Sequence, residues 1–382
     1  MMPARVTHVT SVHDADDPRI NSKECRTLAA AGFRVSLLAP EGSVHEDGPV
    51  SLVPLPAQPG RLRRMTLGNV SAFRRGLRLR SHVYHLHDPE LFPTAVALRL
   101  VGRRVVMDVH EDLPAQIRTK TWIAPALRRP IGWLARRWEW AVARIATRVV
   151  VAEPGVYARF PAERATLIQN FPRSDEFPPA SSTPYGERPN HLVYVGSMSE
   201  ARGLFSMIRA VDRLDPALEA RLHLAGQLSG PLRARAEQEP GWRLVVSRGW
   251  LGRDGVADVL GEARIGMVVL HPLPNYVDAQ PTKLFEYMMA GLPVVASDFP
   301  RWREIIEPAG CGLLVDPMSE DAIVAATAWL LEHPEDAREM GERGRAEVLR
   351  RYSWDAEGER LVRMYETMLG APMRAPSAEG VR

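Results

Sequence analysis

At 382 residues the chain is longer than one ordinary hydrophobic core organises, so about two domains are expected. Its 45% apolar and 25% charged residues exclude a disordered or fibrous chain, and no run of about 18 uninterrupted apolar residues predicts a transmembrane helix. The net charge of +3 is uneven: residues 61–148 hold 18 Lys/Arg against 6 Asp/Glu, a local +12, so the rest of the chain carries −9 and the basic stretch calls for an anionic partner.

Arg5 to Thr10 reads as a buried strand. Residues 14–21 read as a loop, Ser22 to Ala31 as a helix closed by Gly32, and Val35 to Ala39 as the next strand. This opening predicts a parallel sheet with crossover helices. The first strand is not followed by Gly-x-Gly-x-x-Gly, which argues against a dinucleotide-dependent dehydrogenase. Residues 1–14 lack a basic segment followed by an apolar run, so no secretory signal is expected.

Between Arg61 and Arg80, arginines interleave with Leu62, Met65, Leu67, Val70, Phe73 and Leu77. One or two basic amphipathic helices fit, either as a solvated outer layer or as a membrane contact. Val83 to Leu91 is a strand running into a loop, with His87 and Asp88 at the strand end, where doubly wound sheets place ligands. They are acceptor-side candidates, or a purely structural His–Asp turn. Val105 to Asp112 is another strand and its exit, and it carries His110.

Residues 118–148 set Trp122, Trp133, Trp138 and Trp140 among arginines. That composition suits an interfacial helix, or a core helix filling space under the sheet. Strands at 149–152 and 166–170 complete the first sheet. The proline- and serine-rich segment after Phe171 reads as a linker. The expected division is a first domain over 1–172, a linker over 173–190, a second domain over 191–351, a closing helix over 352–370 that returns to the first domain, and a disordered tail over 371–382.

The second domain opens on a strand, His191 to Val195, that ends at Gly196, where a ligand can approach the backbone. Arg202-Gly203 starts a helix, and Arg248-Gly249-Trp250-Leu251-Gly252 forms a later loop. Asp278 then precedes Pro281-Thr282-Lys283-Leu284-Phe285-Glu286-Tyr287-Met288-Met289-Ala290-Gly291-Leu292-Pro293-Val294. Pro281 and Thr282 start a helix, and Gly291 with Pro293 stops it. Lys283 and Glu286 share one side of its first turn. A helix N-terminus with a lysine suits a phosphate, and a carboxylate one turn deeper suits a ribose diol. A solvated Lys–Glu pair on an ordinary helix satisfies the same spacing. Cys25 and Cys311 fit no metal spacing and suit a reducing compartment.

The acidic pair Asp278 and Glu286, with seven residues between them including Lys283, resembles the signature of retaining GT-B glycosyltransferases of family 4. Asp17-x-Arg19-Ile20-x-x-Lys23-Glu24 and His87-Asp88-Pro89-Glu90-Leu91 are similar to hallmarks of one subgroup. The resemblance implies a GT-B fold, an α/β architecture of two Rossmann-like doubly wound domains facing a central cleft. It implies transfer of a sugar from a nucleotide diphosphate donor to an acceptor hydroxyl with retention. His110, Asp278 and Glu286 take the catalytic positions. Gly196, Arg202, Arg248, Lys283, Leu284 and Glu286 are expected to bind donor, with His87, Asp88 and Arg19 on the acceptor side; for Arg19 a surface salt bridge is the alternative. Two departures from the family pattern stand out: Asp278 replaces the usual Glu, and Ser197 replaces an arginine.

No metal and no cofactor beyond the nucleotide sugar are expected. The implied acceptor is a sugar, a lipid-linked compound or a small molecule, and the implied setting is cytoplasmic, with the basic stretch on an anionic inner leaflet. Cell-surface polysaccharide, glycolipid and natural-product glycoside synthesis all fit. A nucleotide-sugar 2-epimerase of the same architecture is the alternative; a nucleic-acid-binding protein would explain only the basic stretch.

Overall fold

The computed structural model describes residues 3–40, 48–110, 112–119, 123–177 and 183–370. The chain forms two compact units: residues up to Asn170 together with those from Trp354, and Phe171–Ser353. Glu111, Trp122 and the tail from Ala371 lie outside the described residues.

The first unit holds seven strands: β1 (Arg5–Val9), β2 (Arg34–Pro40), β3 (Ser51–Leu55), β4 (Val83–Leu86), β5 (Arg104–Val109), β6 (Arg148–Val151) and β7 (Ala165–Leu167). Their order is β3-β2-β1-β4-β5-β6-β7, with every pairing parallel. Such a sheet needs covering on both faces. One face buries Leu38, Tyr84, Leu91 and Val142, and the other buries Leu28, Leu37, Val106 and Leu361. The order reverses direction between β1 and β4, the position where doubly wound sheets bind ligands.

The helix expected from Ser22 begins at Pro18. The Asp17 carboxylate accepts from the amides of Arg19 and Ile20 at 2.9 and 3.0 Å, and Pro18 takes the first helical position. The turn Pro18–Cys25 is π-helical, so residues five apart align and Arg19, Lys23 and Glu24 all point inward. Strand β3 escapes a pattern reading because Pro54 interrupts it; at the sheet edge a proline costs no interior ladder bond.

Residues 61–78 are helical throughout, as Arg61–Arg63, Arg64–Gly68 and Asn69–Arg78. Phe73 and Leu77 pack inward, while Leu62, Met65, Leu67 and Val70 stay exposed. The helix Pro125–Ile145 divides its tryptophans similarly: Trp138 packs edge-on against Phe92, and Trp133 and Trp140 face outward under Arg137 and Arg144.

The last helix, Trp354–Leu369, belongs to the first unit. It buries Trp354, Leu361, Met364 and Tyr365 there, and Trp354 Nε1 donates to Thr27 Oγ1 at 2.8 Å.

The second unit has β8 (His191–Val195), β9 (Arg221–Ala225), β10 (Val245–Gly249), β11 (Ile265–Val268), β12 (Val294–Ser297) and β13 (Gly312–Val315). The order is β10-β9-β8-β11-β12-β13, again all parallel, with the reversal between β8 and β11. Phe171 and Phe177, from the proline-rich segment, are buried in this unit's core.

Candidate active site

In the second unit the site begins at the carboxyl ends of β8, β9 and β10, where Gly196, Gly226 and Gly249 all have positive φ. The Gly196 amide donates to Ala225 O at 2.8 Å, and the Gly226 amide to Gly249 O at 2.6 Å. A Cβ on Gly226 would lie 2.1 Å from Gly196 O, so the strand ends close into a bare peptide floor that only glycine permits.

Lys283 lies over that floor. Its buried Nζ sits 3.7 Å from the centre of the Tyr194 ring and has no hydrogen-bond partner among the described residues. A Cβ on Gly196 would be 3.4 Å from it. Burial, then the Arg202 charge, pushes the Lys283 pKa well below that of a free lysine, with Glu286 opposing. Arg202 is held by Ser197, whose carbonyl accepts at 2.9 Å and whose hydroxyl also accepts, and by the Tyr276 hydroxyl at 3.4 Å. Ser197, which stands where the family has an arginine, thus anchors the remaining one.

Lys283 is in the first turn of the helix Thr282–Met289, whose N-terminus has no side-chain cap. One turn on, Glu286 is buried and accepts from Arg253 Nη1 at 2.9 Å. Arg253 also pairs with Glu176 and thereby joins two carboxylates. Neither Arg253 nor Glu176 emerged from the sequence. The available signal was Arg253 directly after the Arg248–Gly252 loop, opening the helix Arg253–Glu262.

Asp278 is exposed at the end of the turn Pro274–Val277, and the following carbonyl, Ala279 O, accepts from Trp302 Nε1 at 2.8 Å. Arg248 turns to His223 Nδ1 at 3.3 Å and to Glu262 at 3.4 Å. Leu284 differs from expectation. Its side chain is fully buried in the core and its amide donates to Pro281 O at 3.0 Å, so it offers nothing to a ligand.

In the first unit the candidates converge on Asp108, at the end of β5. Arg19 donates to both of its oxygens at 3.0 Å. His87 Nδ1 is 3.1 Å away and His110 Nδ1 is 3.5 Å away. Burial would raise the pKa of Asp108, but Arg19 and the two imidazoles hold it well below the usual carboxylate range. Of this group only the His110 side chain keeps appreciable exposure, 21%. His13 meets its ring edge-on at 5.5 Å and pairs with Asp17 at 3.2 Å.

Two expectations are corrected here. His87 is completely buried, and its Nε2 lies 2.9 Å from His8 Nδ1, so it supports Asp108 rather than reaching an acceptor. Arg19 is likewise buried: its guanidinium is occupied by Asp108, Glu24 and Ile168 O, in neither a surface salt bridge nor an acceptor contact. Asp88 is nearly covered, with one oxygen accepting from the Ser11 amide at 2.5 Å and the other 3.5 Å from His13.

The family described as "Glycosyl transferases group 1" matches residues 180–347, and the "Glycosyl transferase 4-like domain" matches residues 21–170. The chain belongs to the group 1 glycosyltransferases. The phosphatidyl-myo-inositol mannosyltransferase of Mycolicibacterium smegmatis is 25% identical, over 91% of this glycosyltransferase and 89% of the relative. Sucrose-phosphate synthase from Thermosynechococcus elongatus superposes with a TM-score of 0.77 at 18% identity, covering 97% of this chain and all of that one. Anabaena HepE, solved with UDP and glucose, gives 0.71 at 14% identity over 95% of this chain and all of that one. The fold is GT-B, and the enzyme is a nucleotide-sugar-dependent glycosyltransferase.

Proposed function

We propose that this glycosyltransferase binds its donor through the bare strand ends and the helix Thr282–Met289, and transfers the sugar with retention without a metal at the reacting centre. Lys283 carries the reading: a buried lysine nitrogen with no hydrogen-bond partner among the described residues, beside a glycine floor, is a group that a bound anion would complete. Arg202 supplies the second charge, in a forked geometry suited to phosphate. Glu286 accepts from the donor ribose while Arg253 fixes its rotamer. Asp278 contacts the sugar, and Arg248 lies toward the base.

The anomeric carbon–phosphate oxygen bond breaks as the acceptor oxygen bonds to that carbon from the same face. The departing phosphate oxygen takes the hydroxyl proton. Lys283, Arg202 and the helix N-terminus stabilise the charge growing on the diphosphate. His110 is the first unit's catalytic candidate, and Asp108 fixes its ring; Arg19 and His87 act only through Asp108.

The mannosyltransferase relative named for phosphatidyl-myo-inositol supports a lipid acceptor. Exposed Trp133 and Trp140 capped by arginines, with Leu62, Met65, Leu67 and Val70 outward among further arginines, support peripheral contact with an anionic leaflet.

A panel of UDP-, GDP-, ADP- and dTDP-sugars tests the donor reading by thermal shift and slow hydrolysis. One nucleotide class should stabilise the wild type and fail to stabilise Lys283→Ala. No stabilisation of the wild type by any of them rejects it. An epimerised nucleotide sugar formed without acceptor would reassign the enzyme as an epimerase.

A further inference from the structure

The first unit contains a second cluster of reactive side chains, joined to the transfer chemistry only through His87 and its contact with Asp108. Strand pairing sets His8 of β1 opposite His85 of β4, and His87 follows two residues on, so all three imidazoles share one face of the sheet. The π-helical turn Pro18–Cys25 brings Glu24 over them. All four residues are fully buried.

We propose that His8, His85, His87 and Glu24 bind a divalent transition-metal ion, zinc by preference, as a structural centre of the first unit. One ligand atom from each residue lies within 4.8 Å of every other. Metal–nitrogen and metal–oxygen bonds of about 2.0–2.1 Å around a tetrahedral ion require ligand–ligand edges of about 3.4 Å. The separations bracket that value: 2.9 Å between His8 Nδ1 and His87 Nε2, 3.5 Å between His85 Nδ1 and Glu24 Oε2, and 3.9 Å between His8 Nδ1 and Glu24 Oε2. The ring centres lie 4.6 to 5.1 Å apart, with His87 stacked on both His8 and His85.

A second observation points the same way. Glu24 Oε2, one of the ligand atoms, is buried without a hydrogen-bond partner among the described residues, while Glu24 Oε1 pairs with Arg19 Nε at 3.3 Å and His85 Nδ1 lies 3.0 Å from the Tyr365 hydroxyl, which the ion would displace. A buried carboxylate oxygen left unpaired is costly, and an ion at the centre of the cluster would satisfy it. His87 offers the cluster Nε2 while its Nδ1 faces Asp108 at 3.1 Å, the carboxylate–imidazole support typical of metal-ligating histidines. The neighbouring cations are already engaged: Arg19 chiefly by Asp108, and Lys23 by Asn170 Oδ1 at 2.8 Å.

Three imidazoles and one carboxylate form a closed four-ligand set of the kind zinc accepts, with no position left for substrate. The centre is therefore structural, and it meets the transfer chemistry only where His87 contacts Asp108. Being buried, it would load during folding and resist chelation in the native state.

The full-length protein, purified through a tag without histidines from zinc-supplemented cells, should contain one equivalent of zinc by mass spectrometry. Unfolded with chelator and refolded with cobalt(II), it should show the intense visible bands of a four-coordinate site. His8→Asn/His85→Asn, checked for fold by circular dichroism, should lose both. Substoichiometric metal in the native wild type together with no cobalt bands on refolding would overturn the proposal and leave the cluster as a proton-sharing core. Retention of full metal by the double variant would also overturn it, because the ion would then lie elsewhere.

Discussion

Lys283 links donor binding to pH. In the free enzyme its pKa is depressed by burial and by Arg202, so between that value and the ordinary lysine value the unfolded chain binds the extra proton. Stability of the free enzyme from this group therefore rises with pH across that window. A bound diphosphate reverses the balance by favouring the ammonium, so donor binding takes up a proton. Affinity should fall by up to about tenfold per pH unit above the free-enzyme pKa. Calorimetry of donor binding in two buffers of different ionisation enthalpy measures the uptake, and identical heats in both would reject it.

Glu286→Ala removes a charged acceptor worth ~1.5–3 kcal/mol, or roughly 10–150-fold in donor affinity. Its neighbour Arg253 behaves differently. Arg253→Ala leaves Glu176 and Glu286 facing each other without their cation, so it should lower the melting temperature as well as donor affinity. A melting temperature equal to wild type would show that the bridge matters only for the ligand.

Strands and helices were read from periodicity with success where one signal dominates. The valine-rich central strands, and the helix between Pro281 and Gly291, lie close to the expected bounds because burial and punctuation agree there. The reading failed where two local signals compete. Pro54 hid an edge strand, and the acidic run before Pro18 looked like loop although Asp17 is a cap. That Lys283 and Glu286 share one side of a helix was legible because they are neighbours in sequence. Arg253 and Glu176 were not, since tertiary packing alone brings them to Glu286. His85 and His87 were visible as an alternating pair, but their burial beside His8 depends on strand pairing that no local pattern encodes.

Gly226 tests how far an element end constrains the site. Gly226→Ala places a methyl against Gly196 O at a φ of +145°, so the β8 and β9 ends must part. Strain of about 1–3 kcal/mol is expected, together with loss of donor-induced stabilisation. Thermal shift with and without donor resolves the two effects, and unchanged donor stabilisation would show that the floor tolerates opening.

Across the whole chain, charge and anchoring are partitioned. Residues 61–148, all in the first unit, hold the local +12, and their exposed apolar residues lie among the arginines. Near an anionic leaflet each Lys or Arg contributes ~1 kcal/mol, attenuated beyond a Debye length of about 10 Å at 0.1 M salt. Co-sedimentation with anionic vesicles should appear at low salt, fall at high salt, and weaken in Arg74→Glu/Arg75→Glu/Arg78→Glu. Absence of binding at low salt would favour an acceptor away from lipid.

The return of the last helix gives the chain a timetable. The second unit, about 180 residues, is inserted between Asn170 and Trp354. Translation at roughly 5–20 residues per second spends about ten to forty seconds on that insertion. Throughout it the nascent first sheet lacks the cover of Leu361 and Tyr365, and His85 lacks the tyrosine hydroxyl that later lies 3.0 Å from its Nδ1. The amino-terminal half is thus the first made and the last finished. The ribosome holds an uncovered apolar face and an open imidazole cluster for that interval, within reach of chaperones and of any ion the cytosol supplies.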